Sequence, residues 1–177
     1  MIKKIFIGLG LVIAAILVFA AVKSGEMNVS REIVIATSPE SLFPYINNSQ
    51  KSYEWMPWAE GDATIDIKYS GPAEGLGAKS EWTGKEMGVG SSEVVESVPN
   101  QVVKTKLDYT KPFVMSQLAE ITLTPTEGGT RVKWSVSGHS NYLFRLMSVF
   151  VNCDKMIGGE FEKGLNKLKS MAETTQP

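Results

Sequence analysis

Residues 102–109 read Val-Val-Lys-Thr-Lys-Leu-Asp-Tyr, and their alternation is the first indication of the fold class. Every second side chain is apolar, aromatic or β-branched, namely Val103, Thr105, Leu107 and Tyr109. Lys104 and Lys106 stand between them. Because side chains two residues apart share one face of an extended strand, the pattern predicts a β-strand with one face in a core and the other in water.

Further strand patterns follow along the chain without a helical period between them. The predicted strands cover residues 64–69, 78–84, 88–98, 102–109, 115–124 and 130–138. Short turns that contain glycine, proline or asparagine separate them, for example Pro99-Asn100 and Gly128-Gly129. Turns of this kind join neighbouring antiparallel strands, so the sequence predicts an antiparallel meander.

The apolar period changes beyond residue 140. Spacings of three and four residues, or their sums, separate Leu143, Leu146, Met147, Phe150, Ile157, Phe161, Leu165 and Leu168. This spacing predicts one long helix over residues 141–173 that closes the chain. Gly158, Gly159 and Gly164 lie inside it, so we expect a kink or a close approach of two backbones there.

The region before the meander predicts one more strand and two short helices. Residues 29–36 are rich in β-branched side chains, which is typical of a strand. Ser38 followed by Pro39 is the pattern of a helix N-cap and a first helical residue. Residues 53–58, Tyr-Glu-Trp-Met-Pro-Trp, predict a second short helix or a structured loop.

A continuous apolar segment stands at the start of the chain. Residues 5–22 carry no charge and are long enough for a helix to cross the hydrocarbon layer. We interpret them as a single-pass signal anchor, a transmembrane helix. The alternatives are a cleaved signal peptide, which would give a secreted domain, and a buried core helix. Lys3 and Lys4 precede the segment and only Lys23 follows closely, so the positive-inside rule predicts a domain on the non-cytoplasmic side.

Composition bounds the organisation and the function. The 177 residues have room for one ordinary domain, predicted at 27–173 between an anchor with linker at 1–26 and a disordered tail at 174–177. A formal net charge of -1 without a basic stripe argues against nucleic acid as a partner. The single Cys153 and single His139 exclude a disulfide within the chain and a metal centre built from these residue types. No nucleotide or flavin fingerprint is present, so we expect no cofactor.

Several short motifs carry a family resemblance. They are Ala36-Thr37-Ser38-Pro39-Glu40, Gly75-Leu76-Gly77-Ala78, Trp82-x-Gly84, Ser97-Val98-Pro99-Asn100 and Gly129-Thr130-Arg131-Val132-x-Trp134. With the order of predicted elements, they make residues 29–172 resemble the SRPBCC, or START-like, superfamily, and within it the polyketide cyclase/dehydrase and lipid-transport group. The resemblance implies an α+β helix-grip fold, in which a curved antiparallel sheet wraps around a long C-terminal helix and leaves a cavity for an apolar ligand.

Strand alternation aligned with the family pattern gives the ligand-binding candidates. In the sheet they are Trp82, Ser92, Val94, Val103, Leu107, Tyr109, Met115 and Trp134. On the helix they are Met147, Phe150 and Ile157. Ser80 and Ser92 are small where the family has larger residues, which predicts a locally roomier pocket.

Catalysis would need a proton donor or acceptor held in an apolar pocket. Glu96 and Asp154 are the candidates. Glu96 shares the strand parity of Ser92 and Val94, which would turn it inward, although it lies near the strand end. Asp154 has the alternative of a solvated or capping carboxylate. We therefore assign no catalytic residue.

The sequence favours a non-enzymatic binder or carrier of a hydrophobic small molecule or lipid, which takes the ligand into an internal cavity and is held at the membrane by its N-terminal segment. A cyclase or dehydratase that acts on a polyketide-like or aromatic substrate is the first alternative. The second is a protein-interaction module with a collapsed cavity, for which residues 55–58 would be the contact.

Overall fold

The computed structural model describes residues 2–174, without side-chain detail at positions 2, 59 and 60. In this range the helices are α1 (Ile2–Val22), α2 (Pro39–Asn47), α3 (Ser49–Trp55), α4 (Trp58–Gly61), α5 (Tyr142–Met147) and α6 (Cys153–Thr174). The strands are β1 (Glu26–Ile35), β2 (Asp66–Ser70), β3 (Lys79–Gly84), β4 (Gly88–Val98), β5 (Val102–Lys111), β6 (Met115–Thr126) and β7 (Gly129–His139).

The seven strands form one antiparallel sheet in the order β1-β7-β6-β5-β4-β3-β2. Strands β2 to β7 follow each other as the predicted meander, and β1 closes onto β7. Helix α6 packs against β1 and β7 on the inner face, and α2 and α3 contact α6. The arrangement confirms the predicted helix-grip fold.

The strand register defines two ends of the sheet. The α1-side end contains the start of β1, the end of β7 and the turns at residues 85–87 and 112–114. The distal end contains the end of β1 and the turns at residues 71–78, 99–101 and 127–128. Only residues 23–25 separate α1 from β1, so the first end lies next to the C-terminus of α1.

Four aromatic side chains fill the space between β7 and α6. Trp134 stacks on Phe161 with ring centroids 4.1 Å apart, and Trp55 and Trp58 meet Trp134 edge to face at 5.2 and 5.8 Å. Each such pair adds about 0.5–1.5 kcal/mol to the stabilisation from burial. We call these four residues the aromatic core. Trp55 is fully buried and its indole N–H donates to the Tyr45 carbonyl, so the prediction of residues 55–58 as an exposed contact is wrong for Trp55.

The single long C-terminal helix predicted at 141–173 is wrong, because the chain forms two helices with a break at residues 148–152. Asn141 caps α5 by accepting from the Phe144 N–H, and the Asn152 side chain accepts from the Lys155 N–H where α6 begins. An asparagine that bonds the backbone three residues later starts a new helix. The helical spacing of apolar residues continues across the break, so the sequence pattern did not indicate the new helix start at Asn152.

Two glycines of α6 permit close packing, and α6 itself runs unbroken past them. A Cβ atom at Gly164 would lie 3.0 Å from both the Pro57 ring and the Trp134 indole. At Gly158 it would overlap the guanidinium of Arg31. The close approach expected from these glycines is therefore present.

Helix α1 is long and apolar enough over Lys3–Val22 to cross a membrane, which makes it a candidate membrane span or signal sequence. Its side chains are almost all exposed, unlike those of a buried core helix. Of the predicted tail at 174–177, Thr174 is the last residue of α6 and the remainder lies outside the described residues.

Candidate ligand-binding face

The register places five of the predicted lining residues together on the inner face of the sheet. Ser92 of β4 pairs with Leu107 of β5, and Tyr109 pairs with Met115 of β6. Trp82 of β3 reaches Tyr109 across β4. All five side chains are half-buried. They form one continuous surface, the concave patch, towards the α1-side end.

Two aromatic rings form one side of the concave patch. Trp82 and Tyr109 meet edge to face with centroids 5.6 Å apart. Gly90 lies between them, and a Cβ atom there would overlap the Trp82 ring, so the arrangement requires glycine. Burial raises the pKa of Tyr109. Its hydroxyl is therefore neutral at physiological pH and is able to donate a hydrogen bond to a ligand.

The strands of the concave patch contribute few polar side chains to it, and these are neutral. The hydroxyls of Ser80 and Ser92 lie 2.7 Å apart and bond to each other. Gln117 is buried, and its amide nitrogen lies 3.5 Å from the sulfur of Met115 and 3.7 Å from that of Met27. Sulfur is a weak acceptor, so this amide retains hydrogen-bonding capacity. The sequence reasoning missed Gln117, although its parity with Met115 indicates an inward position.

Three other predicted lining residues lie in the packed interior. Val94, Val103 and Trp134 are 5%, 2% and 3% exposed, and all belong to the main hydrophobic cluster. Trp134 is the centre of the aromatic core. These side chains face the same way as the concave patch, but neighbouring side chains cover them.

The helical candidates lie apart from one another. Ile157 is half-buried on α6 and packs against the hydrophobic cluster. Met147 ends α5 at 44% exposure, and Phe150 lies in the break between the helices at 71% exposure. Met147 and Phe150 are therefore surface residues.

Glu96 does not face inward, so the parity argument for it is wrong. A β-bulge between Val94 and Glu96 shifts the register with β5. Glu96 consequently pairs with Lys104, whose ammonium lies 2.8 Å from its carboxylate. Because a shift of one residue moves all later side chains to the opposite face, the carboxylate lies on the outer side of the sheet.

Asp154 lies in the first turn of α6 and is paired with Arg31 of β1 at 3.0 Å. Arg31 also contacts Glu162 at 2.7 Å, so it joins β1 to two turns of α6. The hydrogen bond from Arg31 lowers the pKa of Asp154 below its usual range. A carboxylate held ionised in this way is a poor proton donor at neutral pH.

The remaining chemistry-bearing residues give no second centre. Among the described residues no group of three or more His, Cys, Asp and Glu side chains is arranged to hold a metal ion. Cys153 is half-buried, and its thiol lies 3.7 Å from the Val151 carbonyl. His139 is exposed and lies over Gly25.

Two surface clefts are present outside the concave patch. One of about 390 Å³ is lined by Trp55, Pro57, Gly61, Glu160, Lys163, Gly164 and Lys167. Another of about 530 Å³ is lined by Lys23 and residues 148–154. Phe150 is the one predicted lining residue in these two clefts. The concave patch is thus a surface of the sheet and not a wall of either cleft.

The fold recurs in solved structures. A protein of unknown function from Staphylococcus aureus, SA2116, is 15% identical with a TM-score of 0.63, covering 87% of this chain and 98% of its own. Ara h 8.0201 is 13% identical with a TM-score of 0.61, covering 85% and 100%. The di-domain ARO/CYC StfQ from the steffimycin biosynthetic pathway is 13% identical with a TM-score of 0.59, covering 84% and 51%. At these identities the likeness shows the fold alone.

The family is shown by the sequence itself. A family model described as polyketide cyclase / dehydrase and lipid transport matches residues 26–173. The match begins where β1 begins and ends near the end of α6, so it contains the whole sheet. No curated protein matches the chain. The predicted resemblance is confirmed, and the chain belongs to the polyketide cyclase/dehydrase and lipid transport family of the SRPBCC superfamily.

Proposed function

We propose that this chain binds a hydrophobic small molecule or a lipid on the concave patch, without converting it, at the surface of a membrane that holds α1. The observation that carries the proposal is the chemistry of the inner face. Among the described residues, the inward positions of β2 to β6 carry no carboxylate. An apolar surface with a few neutral hydrogen-bonding groups is typical of sites for apolar ligands.

The neutral groups indicate what the ligand carries. The Tyr109 hydroxyl, the Ser80–Ser92 pair and the Gln117 amide lie on a face that is otherwise apolar. A ligand with hydroxyl, ketone or ester oxygens would find partners there. An anionic ligand group would lie near the Asp62 carboxylate, which abuts Gly84 at the edge of the patch, and burying it there would be costly.

The membrane location rests on α1 and its surroundings. The tyrosine hydroxyl of Tyr142 donates to the Leu17 carbonyl, and Arg145 donates to the Ala21 carbonyl. Removal of α1 would delete these contacts, which favours a retained anchor over a cleaved signal peptide. Lys3 and Lys4, which precede the uncharged residues 5–22, favour a domain on the non-cytoplasmic side.

A cyclase or dehydratase is the second candidate, because the family description includes such enzymes. Its acid or base would have to come from the inner face or its edge. The inward Tyr69 and Tyr109 both have a raised pKa, which suits a hydrogen-bond donor better than a base, and Asp62 at the edge is held ionised, which suits a proton donor poorly.

The test is to identify what the full chain retains. The protein is purified in mild detergent, and its bound molecules are measured by native mass spectrometry and by extraction into organic solvent. Leu107→Trp places a large ring on the concave patch, while Leu118→Trp places the same ring on the outer face of neighbouring β6. We expect the wild type and Leu118→Trp to retain one discrete apolar species and Leu107→Trp to lose it. Equal contents in all three proteins would contradict the proposal.

A distinct reaction product after incubation with the recovered species would instead support the enzyme. In that case Tyr109→Phe should lower the rate while the species still binds, because only the hydroxyl is removed.

A further inference from the structure

Exposed apolar side chains gather on α5 and the residues that follow it. Leu143, Met147, Phe150 and Val151 are 45%, 44%, 71% and 42% exposed. The first two lie one turn apart on α5, and the other two follow in the break before α6. Soluble proteins seldom leave a contiguous group of large apolar side chains in water. We call residues 142–151 the α5 segment.

The α5 segment is fixed to the last turns of α1. Arg145 Nη1 donates to the carbonyls of Ala21 and Lys23 at 3.2 and 3.1 Å, and Tyr142 donates to Leu17 at 3.1 Å. Lys23 Nζ in return donates to the backbone carbonyl and hydroxyl of Ser148, at 3.1 and 2.7 Å. The Arg145 bonds satisfy two carbonyls that the C-terminus of α1 leaves free. The joint holds the two helices in one orientation.

The position of this joint along α1 determines how deep the joint lies in the bilayer. The candidate membrane span Lys3–Val22 has 20 residues, which at about 1.5 Å per residue is roughly 30 Å, the thickness of a hydrocarbon layer. Residues 17–23 are then the last part of the span and its exit. A segment bonded to them lies at the level of the lipid headgroups.

A second apolar group lies at the same end of the sheet. The β5–β6 turn carries Phe113 and Val114, which are 38% and 78% exposed. Together with Lys111, which ends β5, this turn forms residues 111–114 of the α1-side end, between Tyr109 and Met115 of the concave patch. Lys111 precedes the turn, and Lys23 and Arg145 lie at the joint, so cations accompany the apolar side chains. Apolar side chains bordered by Lys and Arg are typical of surfaces that lie in a phospholipid interface.

We propose that the α5 segment is a second membrane contact, lying in the headgroup region of the phospholipid bilayer that α1 spans. It holds the α1-side end of the sheet, with the 111–114 turn, against the lipid. The concave patch then opens towards the bilayer surface, so that an apolar ligand passes between bilayer and patch without crossing water. This inference rests on the membrane anchoring in the proposed function.

The experiment measures depth in the bilayer at three positions of the full chain. Cys153→Ser removes the native thiol, and Val12→Cys, Phe150→Cys or Leu76→Cys then introduces one site for an environment-sensitive fluorophore. Leu76 is the matched control, because it is apolar and 67% exposed like Phe150 but lies in a distal-end turn. Each protein is reconstituted into phosphatidylcholine and phosphatidylglycerol vesicles that contain lipids with a doxyl quencher near the headgroup or deep in the chain.

We expect the label at Val12 to be quenched best by the deep quencher and the label at Phe150 best by the shallow one. The shallow quencher should lower the fluorescence of the label at Phe150, as for a residue of an interfacial helix, and should leave the fluorescence of the label at Leu76 unchanged. If the label at Val12 is quenched while the label at Phe150 behaves like that at Leu76, the proposed membrane contact of the α5 segment is wrong, although α1 is still a membrane anchor. If the label at Val12 is not quenched, both the anchor and the α5 contact are wrong.

Discussion

Two tryptophans on the inner face of one sheet have different surroundings. Trp134 is 3% exposed and has three aromatic neighbours in the aromatic core. Trp82 is half-buried and, within the described part of the chain, meets one aromatic ring, that of Tyr109. Phe161 of α6 covers Trp134. The same face of the sheet therefore packs the domain where α6 lies on it and offers an apolar surface where it remains half-open.

The largest expected difference is between alanine substitutions of these two residues. Trp134→Ala should lower the free energy of unfolding by about 3–5 kcal/mol, because it empties the centre of a closed cluster. Trp82→Ala should cost only about 1–2 kcal/mol, since its ring is already partly in water. Urea unfolding of the full chain in detergent, followed by circular dichroism, measures both. Equal losses would mean that the concave patch is ordinary core.

Ligand retention should show the reverse order. Trp82→Ala removes one side of the concave patch and should release most of the co-purifying species while the protein stays folded. Trp134→Ala should retain it at temperatures at which that variant is folded. Mass spectrometry of the extracts decides between these outcomes.

A smaller effect is expected where α6 touches the aromatic core. Gly164→Val brings a branched side chain against Pro57 and Trp134, where even a Cβ would be only 3.0 Å away. Overpacking of this kind costs about 1–3 kcal/mol. Gly159→Ala is the matched control, because nothing lies within 4 Å of a Cβ there, and it should stabilise the helix by up to about 1 kcal/mol. Thermal unfolding of both variants tests this prediction. An unfolding temperature of Gly164→Val equal to that of the wild type would contradict the close contact.

The sequence predicted most of the fold because alternation and turns are local signals. The strand predicted at 88–98 is observed at Gly88–Val98, and the inward parity of Leu107 and Tyr109 is correct. The bulge that turns Glu96 outward has no such signal, because it depends on how β4 fits β5. Whether a tryptophan is core or site depends on partners distant in sequence, as with Trp134 and Phe161.

The edge of the concave patch is held by hydrogen bonds, and these give a pH-dependent prediction. The Asp62 carboxylate accepts hydrogen bonds from the Thr64 hydroxyl at 2.6 Å and from the Glu86 and Met87 N–H groups at 2.8 and 3.1 Å. Asp62 is thereby bonded to the turn at residues 85–87, where the Met87 carbonyl accepts from the Trp82 indole. The Thr64 hydroxyl, followed by these N–H groups, holds the pKa of Asp62 well below its usual range. Because the pKa of Asp62 is lower in the folded state than in the unfolded state, its carboxylate stabilises the fold at pH values above the unfolded-state pKa. This contribution is lost as the pH falls through the folded-state pKa.

Asp62→Asn should therefore be less stable than the wild type at pH 7, by less than the Gly164→Val change. The difference in stability between the two proteins should narrow below about pH 4, where Asp62 of the unfolded wild type becomes protonated. Unfolding midpoints measured from pH 7 to pH 3 test the sign. A gap that stays constant across this range would show that the carboxylate charge has no part in holding the turn.

The smallest effect is expected from the serine pair, and it tests whether polar groups on the concave patch serve stability or recognition. Ser80→Ala or Ser92→Ala leaves one hydroxyl without its partner at 2.7 Å and should cost about 0.5–1 kcal/mol. The double variant should cost no more than either single variant, because one bond is lost in each case. If the pair orients a ligand oxygen, the double variant should also release the co-purifying species more readily. A double variant with wild-type stability and full retention would indicate that the two hydroxyls only fill space beside Trp82.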